Sequence, residues 1–199
     1  MKPPCSTVRN AILAALVISA ASARAQSYYF YYRQPIQGFR ADAYDTDYGS
    51  SDNLRAGSQP TVRGHRAVVR HGVAYAPAIA PDAVKRAIWA TNALRRKPYK
   101  WGGGHGSYSD SGYDCSGTVS FALHAAGLLD NPLTASDLCD YGQRGRGRWI
   151  TIYSRSYHTF AVIAGLRLDT TGYWGTEGPR WHADGRDTWG FEARHPSGL

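Results

Sequence analysis

Hydrophobic and polar positions divide the chain into three segments. An apolar run covers residues 11–21, and residues 26–80 form a polar, Tyr-rich stretch without a sustained period of 2 or 3.6. A helical period then begins near residue 81 and later gives way to short β-branched and aromatic runs. The pattern predicts an N-terminal segment (1–25), an extended or disordered leader (26–80) and one folded domain (81–199).

Two helices are predicted at the start of the domain. Val84, Ala87, Ile88, Thr91 and Leu94 share one helical face, and the pattern ends at Pro98. A second helix is predicted from about Cys115 to Leu128, because apolar side chains recur at i, i+3, i+4 and i+7 from Val119. The glycines and the proline in residues 130–148 predict a loop.

The remaining apolar runs predict strands. They are WITIYS, HTFAVIAG, LRLDT and TWGFEARHP, and a further short strand is predicted in the stretch VRGHRAVVRHGVAYAP from Val62. Two helices followed by a set of antiparallel strands indicate an α+β fold, with the helices segregated to one side of the sheet.

The N-terminal segment has the pattern of a secretory signal peptide. Lys2 and Arg9 precede the apolar run, and Ala23-Arg24-Ala25 follows it as a cleavage site. The run is too short for an ordinary membrane span, and a retained N-terminal anchor is the alternative. We therefore expect an exported protein, periplasmic or extracellular, without stable membrane insertion.

Cys115 lies where a glycine-rich loop becomes the second helix, in the sequence DCSG. Unpaired N–H groups and the helix dipole at that position favour a thiolate, and the same N–H groups can stabilise an oxyanion. The placement predicts a nucleophile. A disulfide to Cys139, the other cysteine that would remain after signal-peptide removal, is the competing interpretation.

His158 is the predicted proton partner of Cys115. It opens the strand HTFAVIAG, and a hairpin turning near Gly165 would bring Asp169 beside it to orient the imidazole. His182 is the reserve candidate for the orienting residue. Asp114 is interpreted as a helix N-cap. His182 and Asp184 are close in sequence but lack an obvious third ligand, so we expect no metal site.

The stretch PYKWGG, then DCSG opening a helix, then a histidine opening a strand, resembles the NlpC-type family of cell-wall cysteine peptidases. The similarity covers residues 81–169. It implies a papain-like fold and cleavage of peptidoglycan stem peptides, with Cys115 as nucleophile and His158 as general base. Tyr99 matches the aromatic residue whose hydroxyl lies beside the thiol, and Asp169 falls at the polar orienting position. The chain departs from the family in having HTFAV where members read close to HVGIY, and in having Asp at the third position.

The sequence therefore predicts an exported cysteine hydrolase with a Cys115–His158–Asp169 triad. Tyr99, Ser116 and His105 are expected to bind substrate or the oxyanion, and no cofactor is expected. Peptidoglycan, or another peptide or amide, is the expected partner, and no nucleic acid is expected. The chain has a net formal charge of +8, and removal of residues 1–25 with Lys2, Arg9 and Arg24 leaves +5, a modest basic excess that suits acidic cell-wall polymers. The alternatives are a catalytically silent wall-binding or structural protein, and a thiol amidase or acyltransferase acting on another substrate.

Overall fold

The structure is a computed structural model that describes residues 59–172 and 175–199. The predicted signal peptide and the leader up to residue 58 lie outside the described residues. The described elements, in chain order, are β1 (Thr61–Val62), β2 (Val68–Arg70), β3 (Val73–Pro77), α1 (Asp82–Thr91), α2 (Cys115–Ala125), α3 (Ala135–Leu138), β4 (Gln143–Arg144), β5 (Ile150–Arg155), β6 (His158–Ile163), β7 (Leu166–Gly172), β8 (Gly175–His182) and β9 (Glu192–His195). Among these residues, no helix is both long and apolar enough to cross a bilayer.

The main sheet has six strands in the order β4-β9-β5-β6-β7-β8, and all of its strand pairs are antiparallel. Helix α2 packs on β6 and β7, and α3 packs on β5. Consecutive residues of β5 are buried on both faces, which explains its run of β-branched and aromatic residues. The α+β prediction is confirmed.

Helix α1 buries the face that the sequence predicts. Val84, Ala87, Ile88 and Thr91 are all buried. The α-helix ends at Thr91, and a 3-10 turn continues it from Asn92 to Leu94. Asn92 lies at this change because its side-chain amide bonds both backbone groups of Ala74, at 2.8 and 2.9 Å.

Helix α2 is buried on all sides from Cys115 to Leu123 rather than along one stripe. Its polar residues are accommodated by local hydrogen bonds. The Thr118 hydroxyl donates to the carbonyl of Asp114 (2.7 Å), and the Ser120 hydroxyl accepts from the N–H of Leu133 (3.0 Å). The helix ends three residues before the predicted end, since Gly127 adopts a φ of 75° that stops it.

Residues 59–80 are folded, which differs from the predicted leader. Strand β3 pairs with β1 in parallel and with β2 antiparallel, forming a small second sheet. Ala74, Ala76 and Ala80 are buried in the main hydrophobic core. The predicted boundary at residue 80 therefore does not hold for this part of the leader, because these small residues pack without producing a clear period.

Three further elements, in two regions of the chain, differ from the prediction. Residues 130–148 were predicted as a loop, but they contain α3 and β4. Helix α3 begins with a capping box in which Thr134 and Asp137 exchange hydrogen bonds. Strand β8 was not predicted, because its sequence GTEGPRWH contains Gly and Pro and does not alternate.

Candidate active site

Cys115 is the first residue of α2. Asp114 caps the helix, and its carboxylate accepts a 2.7 Å hydrogen bond from the N–H of Gly117. A side chain at Gly117 would clash with the carbonyl oxygen of Gly103, so glycine is required at the fourth position of DCSG. The glycine-rich loop thus packs directly against the helix end that carries the cysteine.

The thiol of Cys115 is free, and no disulfide joins it to Cys139. It is buried, with 9% of its surface exposed. Burial raises the pKa of Cys115 to about 11, against the lowering effect of hydrogen bonds from the backbone of Thr159 and Ser116. The structure therefore opposes the expected resting thiolate, since desolvation outweighs the helix-terminal hydrogen bonds.

His158 and Asp169 are brought together by the predicted hairpin. Strands β6 and β7 pair antiparallel around a turn at Ala164 and Gly165, both with positive φ. His158 Nε2 lies 3.2 Å from Asp169 Oδ1. Because Nε2 lies on the Asp169 side of the ring, Nδ1 is the nitrogen left to exchange a proton elsewhere.

The thiol lies beside the backbone of the histidine strand. The backbone of Thr159, the residue after His158, hydrogen-bonds the Cys115 sulfur, and α2 packs on β6. The electrostatic effect of Asp169 also reaches the Cys115 thiol and raises its pKa. The structure therefore brings the three residues of the predicted triad into one region, at the N-terminus of α2.

Asp169 is almost completely buried and is held by four donors. Besides His158, its carboxylate interacts with Arg186 Nη1 (2.6 Å), Arg167 Nη1 (2.7 Å) and the N–H of Thr171 (3.0 Å). Burial by itself would raise the pKa of Asp169. The hydrogen bonds and the positive charge around the carboxylate outweigh burial and lower its pKa to about 2. Asp169 is therefore a carboxylate at neutral pH.

A second buried histidine lies on the DCSG side of the site. His105 Nε2 is 3.1 Å from Asp114 Oδ1 and 3.1 Å from the Ser116 hydroxyl, which itself donates to Asp114. Burial works against the charge of Asp114, but His105, Gly117 and Ser116 keep its pKa below the usual value. Asp114 thus caps α2, as predicted, and is also the hydrogen-bond partner of His105. The His105 side chain is buried.

Tyr99 lies at the edge of the same region. Burial, followed by the electrostatic effects of Cys115 and Asp114, raises the pKa of Tyr99. Its backbone forms an isolated bridge with Tyr113, which places the loop before DCSG beside the cysteine. The electrostatic effect of Cys115 on Tyr99 and their shared cleft place the two side chains in the same region.

An open cleft of about 800 Å³ includes Cys115 in its lining. Tyr99, Ser116 and His105 line it, together with Trp101, Tyr157 and residues 131–137 from the chain around α3. Trp101 is 70% exposed and Tyr157 is 44% exposed, so two aromatic rings in the lining of the cleft are accessible to solvent. A substrate in this cleft would meet both polar groups and aromatic faces.

His182 is the last residue of β8 and pairs in register with Arg167. Its Nε2 is buried and finds no hydrogen-bond partner among the described residues. Burial, followed by the charge of Arg167, lowers the pKa of His182. His182 is the reserve candidate for the residue that orients His158. The structure places Asp169 in that contact, and none of the described hydrogen bonds joins His182 to His158.

Two arginines at the site were not predicted from the sequence. Arg167 lies two residues before Asp169 on β7, so the period of a strand places both on one face, and this spacing could have identified it. Arg186 comes from residues 183–191 between β8 and β9, and no local pattern marks it. The cleft segment 131–137 was predicted only as loop.

Comparisons with known proteins do not assign the chain to a family. No protein-family model matches the sequence. No curated protein is significantly similar to it. In residues 59–172 and 175–199, no group of three or more His, Cys, Asp or Glu side chains is arranged to hold a metal ion. The function must therefore be argued from the geometry of the site.

Proposed function

We propose that the protein is an exported cysteine hydrolase of papain-like fold that cleaves peptide bonds in peptidoglycan stem peptides. Cys115 is the nucleophile, His158 the general base and Asp169 the residue that orients His158. The observation that carries the proposal is the arrangement of these three residues. A free thiol at a helix N-terminus lies beside the strand of a histidine whose far nitrogen faces a buried carboxylate.

The resting site fixes how the reaction begins. Because the pKa of Cys115 is about 11, the thiol is protonated at neutral pH and needs a base at the moment of attack. Asp169 accepts the Nε2 proton of His158, which leaves Nδ1 unprotonated. Nδ1 takes the thiol proton as the sulfur forms a bond to the carbonyl carbon of the substrate.

The first half-reaction ends in a thioester. The oxygen of the attacked carbonyl becomes an oxyanion. N–H groups at the start of α2 stabilise it, from Cys115 and Ser116 rather than from Gly117, whose N–H is bonded to Asp114. The His158 imidazolium donates its Nδ1 proton to the leaving nitrogen, and the C–N bond breaks. The amine product departs, and the acyl group stays on Cys115.

The second half-reaction regenerates the enzyme. His158 Nδ1 takes a proton from a water molecule, and the resulting hydroxide attacks the thioester carbonyl. The C–S bond breaks, the sulfur recovers the proton from His158, and the carboxylic acid product leaves. No cofactor enters either step. Tyr99, Ser116 and His105 line the cleft where the acyl group would lie.

The choice of peptidoglycan rests on resemblance and on the form of the cleft. PYKWGG and DCSG lead into α2 in the order that the resembled family shows, and His158 opens a strand as expected. The cleft is open, about 800 Å³ in volume and lined by the exposed rings of Trp101 and Tyr157, so it has room for a segment of peptide. The signal-peptide pattern would deliver the protein to the compartment where this polymer lies.

The test is digestion of purified peptidoglycan by the full chain, with the fragments identified by mass spectrometry. Release of stem-peptide fragments by the wild type, and none by Cys115→Ala, is the expected result. Asp184→Asn is the control, because the Asp184 side chain is 74% exposed and does not line the cleft, so this variant should keep activity.

Two results would point to the alternatives. If wild type and Cys115→Ala both leave peptidoglycan intact but bind it in a sedimentation assay, the wall-binding protein replaces the hydrolase. If wild type leaves the polymer intact but hydrolyses a generic amide or ester, and Cys115→Ala does not, the protein is a thiol hydrolase for another substrate.

A further inference from the structure

Arg186 contacts both members of the His158–Asp169 pair. Its Nη1 lies 2.6 Å from Asp169 Oδ2 and 3.1 Å from His158 Nε2. The guanidinium is stacked on two aromatic rings, with its carbon 5.1 Å from the centre of Phe160 and 5.6 Å from that of Phe191. Its side chain is only 23% exposed, so the positive charge is fixed in position and partly shielded from water.

Arg167 provides a comparison within the same site. It also binds Asp169 Oδ2, at 2.7 Å, but its other hydrogen bonds go to Asp184 and to the carbonyl of Thr171. None of its described hydrogen bonds reaches His158. Both arginines therefore neutralise the carboxylate, but only Arg186 also places its charge beside the imidazole.

We propose that Arg186 is a positioning residue that keeps the resting site as a neutral thiol and a neutral imidazole, rather than as a thiolate–imidazolium pair. This inference rests on the proposed function, because it concerns the same Cys115 and His158. It adds a regulatory property to the site: proton transfer occurs only as the substrate is attacked, and the thiol is protected from reagents at rest.

The charges around His158 support the proposal. The charged groups around it are Arg155 opposite it in β5, Asp169 with Arg167 from β7, and Arg186 from the chain between β8 and β9, and the Cys115 thiol of α2 hydrogen-bonds the backbone of the next residue, Thr159. The carboxylate of Asp169 is shared with two guanidinium groups, and Arg167 is also paired with Asp184, so the charge that remains beside the imidazole is that of Arg186. A second proton on Nδ1 would make the ring an imidazolium, and Arg186 Nη1 lies 3.1 Å from Nε2 of that same ring.

The environment of the sulfur favours the same state. Cys115 is buried, and Asp114 and Asp169 each act to raise its pKa, which stands at about 11. A thiolate there would need a full positive charge on His158 for compensation, and Arg186 opposes that charge. Both halves of the ion pair are therefore disfavoured before substrate binds.

The experiment measures the rate of Cys115 alkylation by iodoacetamide, from about pH 5 to about pH 10, because only the thiolate reacts. The alkylated peptide is identified by mass spectrometry in the full chain. Arg186→Met keeps an unbranched side chain for Phe160 and Phe191 but removes the charge. We expect wild type to react slowly until alkaline pH, and Arg186→Met to react at least ~10-fold faster near neutral pH, with a plateau that marks an ion pair.

Arg186→Lys and Arg167→Met are the controls. Arg186→Lys restores the positive charge and should return the profile to that of wild type. Arg167→Met removes a charge from Asp169 without a contact to His158, so its profile should move less than that of Arg186→Met. Circular dichroism verifies folding of each variant, and Arg186→Gln replaces Arg186→Met should the latter not fold.

Three outcomes would overturn the proposal. These are coincident profiles for wild type and Arg186→Met, a neutral-pH plateau already present in wild type, and equal shifts for Arg186→Met and Arg167→Met. The measurement requires no substrate. Failure of peptidoglycan digestion would therefore refute the proposed function but leave the alkylation result unchanged. Absence of a shift in the alkylation profile would refute the role of Arg186 but leave the digestion result unchanged.

Discussion

Asp169 is the residue where the electrostatic interactions of the candidate site meet. It is 1% exposed and carries interactions with an imidazole, two guanidinium groups and a backbone N–H. A buried charge is tolerated only when such partners replace its lost hydration. Under the proposed function Asp169 orients His158, and its contacts also stabilise this end of the sheet, so a substitution there should affect both activity and stability.

Substitution of Asp169 by Asn should lower kcat for stem-peptide hydrolysis by about 100-fold or more, because His158 would lose the charged acceptor that selects its tautomer. The same change leaves Arg167 and Arg186 without their carboxylate and should cost about 3 kcal/mol of unfolding free energy. Kinetics and urea unfolding measure the two effects.

Asp184→Asn is the matched control for this substitution. Asp184 also pairs with Arg167, at 3.2 Å, but its side chain is 74% exposed. An exposed pair contributes about 1 kcal/mol at most. Near-wild-type kinetics are expected for Asp184→Asn, and unchanged kcat in Asp169→Asn would remove Asp169 from the mechanism.

The lowered pKa of Asp169 also predicts how stability depends on pH. Its pKa is about 2 in the folded protein and 3.8 in the reference state, so protonation favours unfolding. The contribution is fully present above about pH 4 and is lost as the pH falls toward about 2, and it amounts to about 2 kcal/mol. Acid titration of the unfolding free energy should show a smaller loss in Asp169→Asn than in wild type. Equal losses would show that Asp169 is not responsible.

At the scale of elements, the position of Cys115 depends on close contact between α2 and the glycine-rich loop. Gly117 has no room for a Cβ, because the carbonyl of Gly103 and the Cα of Gly104 lie against it. Gly117→Ala should therefore push the loop and the start of α2 apart and cost about 2 kcal/mol or more of unfolding free energy.

Gly106→Ala is the control, in the same loop. A Cβ at Gly106 would meet no atom within 4 Å, so its substitution should change the unfolding free energy by less than about 0.5 kcal/mol. Urea unfolding of the two variants gives the comparison. Equal stability of Gly117→Ala and Gly106→Ala would show that the loop yields more easily than the structure indicates.

The sequence predicts the elements that carry their own local signals. The N-cap Asp114 and the following apolar period locate α2, and the apolar run after His158 with the glycine at 165 locates the β6–β7 hairpin. For this reason, Cys115, His158 and Asp169 could be predicted from the sequence to lie close together. Arg186 could not, because its contact with Asp169 joins residues 17 positions apart through an irregular segment.

At the scale of the whole molecule, the small sheet of residues 61–77 is the part of the fold that the sequence pattern did not predict as a sheet. Its buried residues are mostly alanines, which give a weak hydrophobic signal, and its strands are two to five residues long. Their burial comes from long-range contacts instead. The N–H of Ala67 donates to the carbonyl of Ala164 at the β6–β7 hairpin (2.8 Å), and Trp89 of α1 donates to the carbonyl of Pro60 (3.0 Å).

This packing makes the small sheet part of the folding unit rather than a dispensable leader. A chain that begins at Pro81 would leave the Asn92 amide, which pairs with both backbone groups of Ala74, without either partner. Each buried polar group left unsatisfied costs about 1–3 kcal/mol, so a chain beginning at Pro81 should be at least about 2 kcal/mol less stable than one beginning at Gln59. Urea unfolding of the two chains measures the difference. Equal stabilities would mean that the domain is complete from Pro81 onward, and that the small sheet is held by the hairpin and α1 without stabilising them in return.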